Sequence, residues 1–171
     1  LLDYKQAFYW FEQAAKQDNH LGHNLCGACY YLGLGVSQDY TKAIAHYRQG
    51  DSKAALAECY YYGRGVTQNH KESVKLLREH FEAGNFLTTT GMLGWCYAQG
   101  TGVPQNWAEA IKLYQRGAEQ NDYLSQYNLS YCYRQGLGGL PKDHTQADYW
   151  LQRARDDERG LRCYLGRSFE L

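Results

Sequence analysis

The sequence predicts an all-α chain assembled from tandem two-helix repeats, and three observations predict it. One motif returns four times, as CYYLGLGVSQDY (29–40), CYYYGRGVTQNH (59–70), CYAQGTGVPQNW (96–107) and CYRQGLGGLPKDH (132–144). The first glycine of each Gly-x-Gly falls at Gly33, Gly63, Gly100 and Gly136, spacings of 30, 37 and 36 residues, and a period in the mid-thirties is that of a helix–turn–helix unit. Eighteen glycines stand against two prolines, and where the glycines fall marks the breaks between helices.

Upstream of each Gly-x-Gly the small and apolar positions follow helical spacing, as in Leu93, Gly94, Tyr97 and Leu129, Ser130, Tyr133, which defines a helix A. The glycines tolerate positive φ and end that helix as C-terminal caps, and Pro104 and Pro141 lie just beyond. Asp39, Asn69, Asn106 and Asp143 then offer side chains suited to cap a following helix B. Helix B carries Ala43 and Tyr47, Ala110 and Tyr114, or Ala147 and Leu151 four residues apart. Residues 3–17 read as a lone helix B with Ala7, Phe11 and Ala14 on its packing face, and Gly160 to Leu171 read as a lone helix A. The expected division is a half repeat at 1–19, repeats at 20–50, 51–85, 86–121 and 122–157, and a half repeat at 158–171. From Asp39 to Gly63 is 24 residues against 30 from Asn106 to Gly136. Six residues, nearly two helical turns, are missing around Gly50, which predicts a shortened helix B there and a local change in curvature.

Lys and Arg total 18, as do Asp and Glu, so the 171 residues carry no formal net charge. That balance argues against a nucleic-acid partner or a polybasic membrane segment. Mean hydropathy is −0.68 although 44% of residues are apolar, and 17 tyrosines reconcile the two figures. No stretch approaches the roughly 18 apolar residues of a membrane span, so no direct membrane insertion is expected. Because it opens on Leu1 rather than Met, the chain is expected to be a piece of a longer protein, with flanking repeats or domains continuing from its ends.

Leu-Gly-x-x-Tyr-x-x-Gly-x-Gly-Val, present as LGWCYAQGTGV (93–103), followed by a capping Asp or Asn and a helix with small and aromatic residues four apart, resembles the Sel-one-like repeat, a relative of the tetratricopeptide repeat. The resemblance runs over essentially the whole chain. It implies a right-handed α/α superhelix, a solenoid of helix–turn–helix repeats, that serves as a non-catalytic adaptor for protein or peptide partners. Departures are Cys26, Leu56 and Ala57 around the Leu-Gly pair of the first two copies, and Ser73 where helix B usually has Ala.

Four of the six cysteines, Cys29, Cys59, Cys96 and Cys132, occupy one repeat position. Equivalent residues on stacked helices stand roughly 8–10 Å apart between axes, beyond the reach of a disulfide, so buried thiols filling space are expected. A secreted branch of the resembled family bridges its two helices with cysteines, but the second cysteine has no counterpart here, and the free-thiol pattern points to a reducing compartment. His20, His23, Cys26 and Cys29 have metal-type side chains, yet steps of three residues along a helix swing them apart over about 13.5 Å, too far for one tetrahedral ion. No cofactor or metal is expected. The Gly-x-Gly lacks the strand and spacing of a phosphate loop, Asp156-Asp157-Glu158 reads as a solvated turn, and no catalytic constellation recurs, so an enzyme is not expected.

With the motif tyrosine of helix A at 0° and about 100° per residue, the small and aliphatic positions three and four before it face the core. Positions one after, two before and six before lie at about 100° to 160° and are expected to face outward. By resemblance to tetratricopeptide superhelices this arc lines a concave groove: Asn24, Ala28 and Tyr31; Ala54, Glu58 and Tyr61; Gly91, Trp95 and Ala98; Tyr127, Tyr131 and Arg134. Its aromatic residues and Arg134 are types enriched at binding hot spots, and Glu58 and Arg134 could orient a ligand. Asn24, Tyr31, Glu58, Tyr61, Trp95, Tyr127, Tyr131 and Arg134 are therefore the expected partner-binding residues, for a peptide or extended protein segment. Because aromatic grooves also stack sugars, a glycan- or peptidoglycan-binding or hydrolytic protein on the same scaffold is the alternative. A segment that only spaces other domains is a third reading.

Overall fold

The computed structural model describes residues 3–85 and 89–156. Among them the chain is all-α: α1 (Tyr4–Ala15), α2 (His20–Leu32), α3 (Tyr40–Gln49), α4 (Lys53–Tyr62), α5 (His70–Glu82), α6 (Thr90–Gln99), α7 (Trp107–Glu119), α8 (Tyr123–Gln135) and α9 (His144–Asp156). Even-numbered helices are the A helices of the repeat and odd-numbered ones the B helices. The chain divides into two compact units, 1–76 and 77–171, with the boundary inside α5. The lone helix A expected from Gly160 to Leu171 lies outside the described residues.

Every A-to-B turn is built alike. Gly33, Gly63, Gly100 and Gly136 end their helices with φ of 72°, 69°, 71° and 72°, left-handed backbone that a Cβ disfavours. The amides of Leu34, Arg64, Thr101 and Leu137 then donate to the carbonyls of Cys29, Cys59, Cys96 and Cys132 at 2.9–3.0 Å, satisfying acceptors that a helix end would otherwise leave unpaired. The amides of Asp39, Asn69, Asn106 and Asp143 fold back onto the carbonyls of the motif tyrosines. Each of those four side chains also accepts an amide of the helix it opens.

The B-to-A turns follow a second recipe, outside the Gly-x-Gly motif. Asp18, Asp51 and Asn121 have φ of 54°, 48° and 59°, and Gly84 has 84°. The next residue, Asn19, Ser52, Asn85 or Asp122, donates its amide back to a carbonyl five residues earlier, a Schellman closure. Short Asp and Asn side chains tolerate this conformation better than other non-glycine residues. The signal was present in the sequence as the pairs Asp18-Asn19, Asp51-Ser52, Gly84-Asn85 and Asn121-Asp122.

Within a hairpin, a missing side chain on helix A receives an aromatic ring from helix B. A Cβ on Gly27 would stand 2.6 Å from the Tyr47 ring, and one on Gly94 would stand 2.6 Å from the Tyr114 ring. Tyr47 and Tyr114 are accordingly buried, 6% and 1% exposed. Where helix A carries Ala57 or Ser130 instead, the matching helix-B position holds Leu77 or Leu151. Ser73, which departs from the usual Ala, is fully buried and donates its hydroxyl to the Ala57 carbonyl at 2.7 Å, so the extra polar atom is satisfied.

The six residues missing around Gly50 are shared between two helices rather than taken from helix B alone. α3 and α4 have 10 residues each, against 13 each in α7 and α8. Removing about one turn from both preserves the antiparallel register of the hairpin, which shortening only one would break.

Gly94→Ala should destabilise the chain by about 1–3 kcal/mol through overpacking, and Tyr114→Leu in the same chain should return part of that loss. Urea unfolding followed by far-UV circular dichroism measures both; additive losses would show that the two residues do not share the contact.

Candidate functional site

In the second unit, α6, α7 and α8 enclose a cleft. Two anchors set its walls. The Asp122 carboxylate, 6% exposed, accepts the amides of Gly91 on α6 and Ser125 on α8 at 3.1 Å each, together with the Ser125 hydroxyl. Burial pushes that carboxyl group's pKa up while these hydrogen bonds pull it down. The Tyr114 ring, seated in the Gly94 notch, forms the floor.

The cleft has a volume of about 220 Å³ and is lined by Trp95, Ala98 and Gln99 of α6, Trp107 and Tyr114 of α7, Asn128, Tyr131 and Cys132 of α8, and Leu137. None of these side chains is charged. Burial raises the pKa of the Tyr114 hydroxyl and pushes the Cys132 thiol, like that of Cys96, up to about 12, so all three stay protonated at neutral pH and offer no nucleophile. Asn128 is 4% exposed, and among the described residues its Nδ2 has no hydrogen-bond partner. Tyr131 and Tyr127 are each 38% exposed on α8, and Arg134 at the end of that helix pairs with Asp148 at 2.7 Å.

Of the expected partner-binding residues, the cleft therefore brings together Trp95 and Tyr131, with Ala98 from the same arc. Tyr127 and Arg134 are exposed on α8 without lining it. Asn128, Trp107 and Leu137 belong to the cleft but were not anticipated. A sequence signal existed for Asn128: the same repeat position elsewhere holds Leu25, Ala55 and Met92.

The first unit treats the same arc differently. Tyr31, expected to face outward, is 4% exposed and belongs to a core with Ala43, Ile44, Tyr47, Leu56 and Cys59. A residue about 100° round from the packing face lies on the seam between neighbouring helices, and a large ring there is covered. Its hydroxyl donates to Glu58 Oε1 at 2.5 Å and receives Arg64 Nη1. Arg64 also stands 3.8 Å from Glu58, and its guanidinium lies 4.7 Å from the Tyr62 ring, 5.4 Å from Tyr31 and 5.9 Å from Tyr40. Glu58 is thus held within the repeat rather than presented to solvent. Tyr61 packs edge-on against Tyr62 and His70 at 5.0 Å. Asn24 is half-buried, its Oδ1 unpaired and pressed against Gly50. In the second unit Gly91 and Ala98 are buried as well.

The His20, His23, Cys26, Cys29 series is drawn apart. Cys26 and Cys29 enter a core with Phe8 and Ala15, while His23 Nδ1 meets His46 Nδ1 at 3.2 Å and Tyr30 stacks on His46 at 5.6 Å. Burial, then the neighbouring His23, lowers the pKa of His46. Among the described residues no three His, Cys, Asp or Glu side chains form a metal-binding group, and no helix is long and apolar enough to cross a membrane.

The model of the Sel1 repeat matches residues 2–19, 21–50, 51–85, 92–122 and 124–158. The chain belongs to the Sel1 repeat family. No curated protein matches it. Among solved structures it is similar to a Sel1 repeat protein from Oxalobacter formigenes, with 27% identity and a TM-score of 0.74 over 89% of this chain and 64% of that one. It is also similar to a protective antigen present in uropathogenic Escherichia coli strains that displays an SLR fold, with 25% identity and a TM-score of 0.75 over 93% of this chain and 38% of that one. The chain thus spans less than two thirds of either protein. Its fold is the all-helical repeat solenoid class of that family, and Sel1 repeats are generally a non-catalytic scaffold for protein–protein interaction.

Two expectations follow from the first unit. Tyr31→Phe leaves Glu58 and Arg64 without their shared partner and should cost about 1–2 kcal/mol in urea unfolding; an unchanged midpoint would show that the hydroxyl contributes nothing. Because the folded-state pKa of His46 lies below the unfolded value of about 6.5, the unfolded chain binds the proton more tightly. Stability that is complete above that pH is lost as pH falls toward the folded value. The urea midpoint should therefore drop more between pH 7.5 and 5 for wild type than for His46→Gln, and equal slopes would exclude His46 as the source.

Proposed function

We propose that this chain is a non-catalytic interaction module that holds an extended segment of a protein partner at the cleft between α6 and α8. The observation that carries this reading is the pairing of Trp95 and Tyr131 across an uncharged cleft whose Asn128 amide has an unpaired N–H. Such a site suits a peptide: aromatic faces contribute buried area with little entropy to lose on ordering, and a peptide carbonyl supplies the acceptor that the amide lacks. Tyr127, exposed one turn before Tyr131 on α8, extends the aromatic surface along the path of a longer ligand. The protonated thiols and the absence of charge in the cleft favour binding over catalysis.

Peptides selected from a random display library on the purified chain should bind with micromolar Kd. Trp95→Ala and Tyr131→Ala should each weaken them about 30-fold, as expected of hot-spot residues worth about 2 kcal/mol, with helical circular dichroism unchanged. Selected peptides indifferent to both variants, or displacement by N-acetylglucosamine oligomers at lower concentration than by peptide, would overturn the reading in favour of another surface or a glycan ligand.

A further inference from the structure

The two units carry the same repeat positions around the cleft and fill them oppositely. One residue after the motif tyrosine, the first unit has Tyr31 and the second has Ala98. The surrounding positions correspond one to one: Tyr40 to Trp107, Tyr47 to Tyr114, Glu58 to Tyr131, and Arg64 to Leu137. In the first unit the Tyr31 ring occupies the middle of this set, edge-on to Tyr40 at 5.2 Å and tilted against Tyr47 at 6.4 Å, with its hydroxyl held by Glu58 and Arg64. In the second unit the small Ala98 stands at that position, and it helps line the cleft of about 220 Å³.

From this correspondence we infer that the second-unit cleft is a pocket for one aromatic side chain of the partner, that the Tyr31 ring shows how such a ring is seated, and that Ala98 is the residue that opens the pocket. The inference rests on the proposed interaction role and names its anchor. The size agrees: the cleft is smaller than the roughly 300–1,000 Å³ of sites that enclose drug-sized molecules. The flanking rings agree, because Trp107 and Tyr114 stand where Tyr40 and Tyr47 contact Tyr31, and aromatic rings favour such edge-on packing over contact with an aliphatic group. The chemistry at the tip differs in a directed way. Where Glu58 and Arg64 hold the Tyr31 hydroxyl, the cleft has Tyr131 and Leu137, neither charged, so the pocket prefers an uncharged ring such as phenylalanine. The N–H of Asn128, at a position where the first unit has Ala55, is left for a carbonyl next to that ring.

The test uses N-acetylphenylalaninamide, with N-acetylleucinamide and N-acetylglucosamine alongside, titrated into the isotopically labelled chain and read by amide chemical shifts of Ala98, Asn128 and Leu137. Saturable millimolar binding of the phenylalanine compound, at least fivefold tighter than the other two, is expected. Ala98→Tyr should fill the pocket from within and weaken that binding at least tenfold while the helical spectrum persists; Ala98→Leu, a smaller filling that tests the same point if the tyrosine variant does not fold, should weaken it as well. Equal binding of the leucine compound, no saturable shift at these residues, or wild-type binding by a folded Ala98 variant would overturn the inference. Display-selected peptides that depend on Trp95 and Tyr131 but contain no aromatic residue would also overturn it while leaving the interaction role standing. Peptides that ignore those two residues would remove that role itself.

Discussion

The packing of a helix-B tyrosine into a glycine notch on helix A is the contact on which the rest of this chain depends. Tyr47 fits over Gly27 and Tyr114 over Gly94 closely enough that a single methyl group would collide with the ring. The notch sets the distance between the two helices of a hairpin, and that distance sets what can lie in the seam beside them. Apolar area as large as a tyrosine ring is removed from water at each site, a favourable term of about 2–3 kcal/mol for a side chain of that size. Gly27 with Tyr47 and Gly94 with Tyr114 each pair a minimal side chain with a large one across a hairpin, so total volume is kept while the helices approach closely, an arrangement a close-packed interior tolerates well.

On this spacing the turns impose direction. The glycine turn and the Asp, Asn or Gly turn are different solutions to the same problem, reversing the chain while satisfying the carbonyls left at a helix end. Asp122 adds a link between successive A helices by capping α8 and accepting an α6 amide with one oxygen. A buried carboxylate with three donors is a rigid joint, and it stands beside the pair of helices that carry Trp95 and Tyr131. The α6 and α8 walls of the cleft are therefore tied together by Asp122 apart from Trp95 and Tyr131.

Seam residues separate the two units in chemistry. Tyr31 is large enough to close its seam, and Glu58 and Arg64 complete the closure with a charged pair and an aromatic surround for the guanidinium. At the equivalent position the second unit has the small Ala98, beside a cleft lined by uncharged residues. One repeated architecture thus yields a closed, internally satisfied face in one unit and an aromatic cleft in the other, through several exchanged positions, Tyr31 with Ala98, Glu58 with Tyr131 and Arg64 with Leu137 among them. Side chains at a few seam positions thus vary between units that share one helical plan.

Helix order, the glycine turns, the N-caps and the shortened stretch near Gly50 were all legible in the sequence, because each depends on residues within a few positions of one another. Local backbone preference acts at that range. The division of the six missing residues between α3 and α4 was not legible, since it depends on keeping two antiparallel helices in register. Nor was the fate of the outward arc: angular position placed Tyr31, Ala98, Trp95 and Tyr131 together, while burial sent Tyr31 into the core and left Trp95 and Tyr131 around an open cleft. Asn128 and Arg64 showed in the sequence only as departures at their repeat positions. What a seam residue touches is decided by the helices on either side of it, which come from other parts of the chain, so only the tertiary structure distinguished the arc residues that enter a core from those that line a cleft.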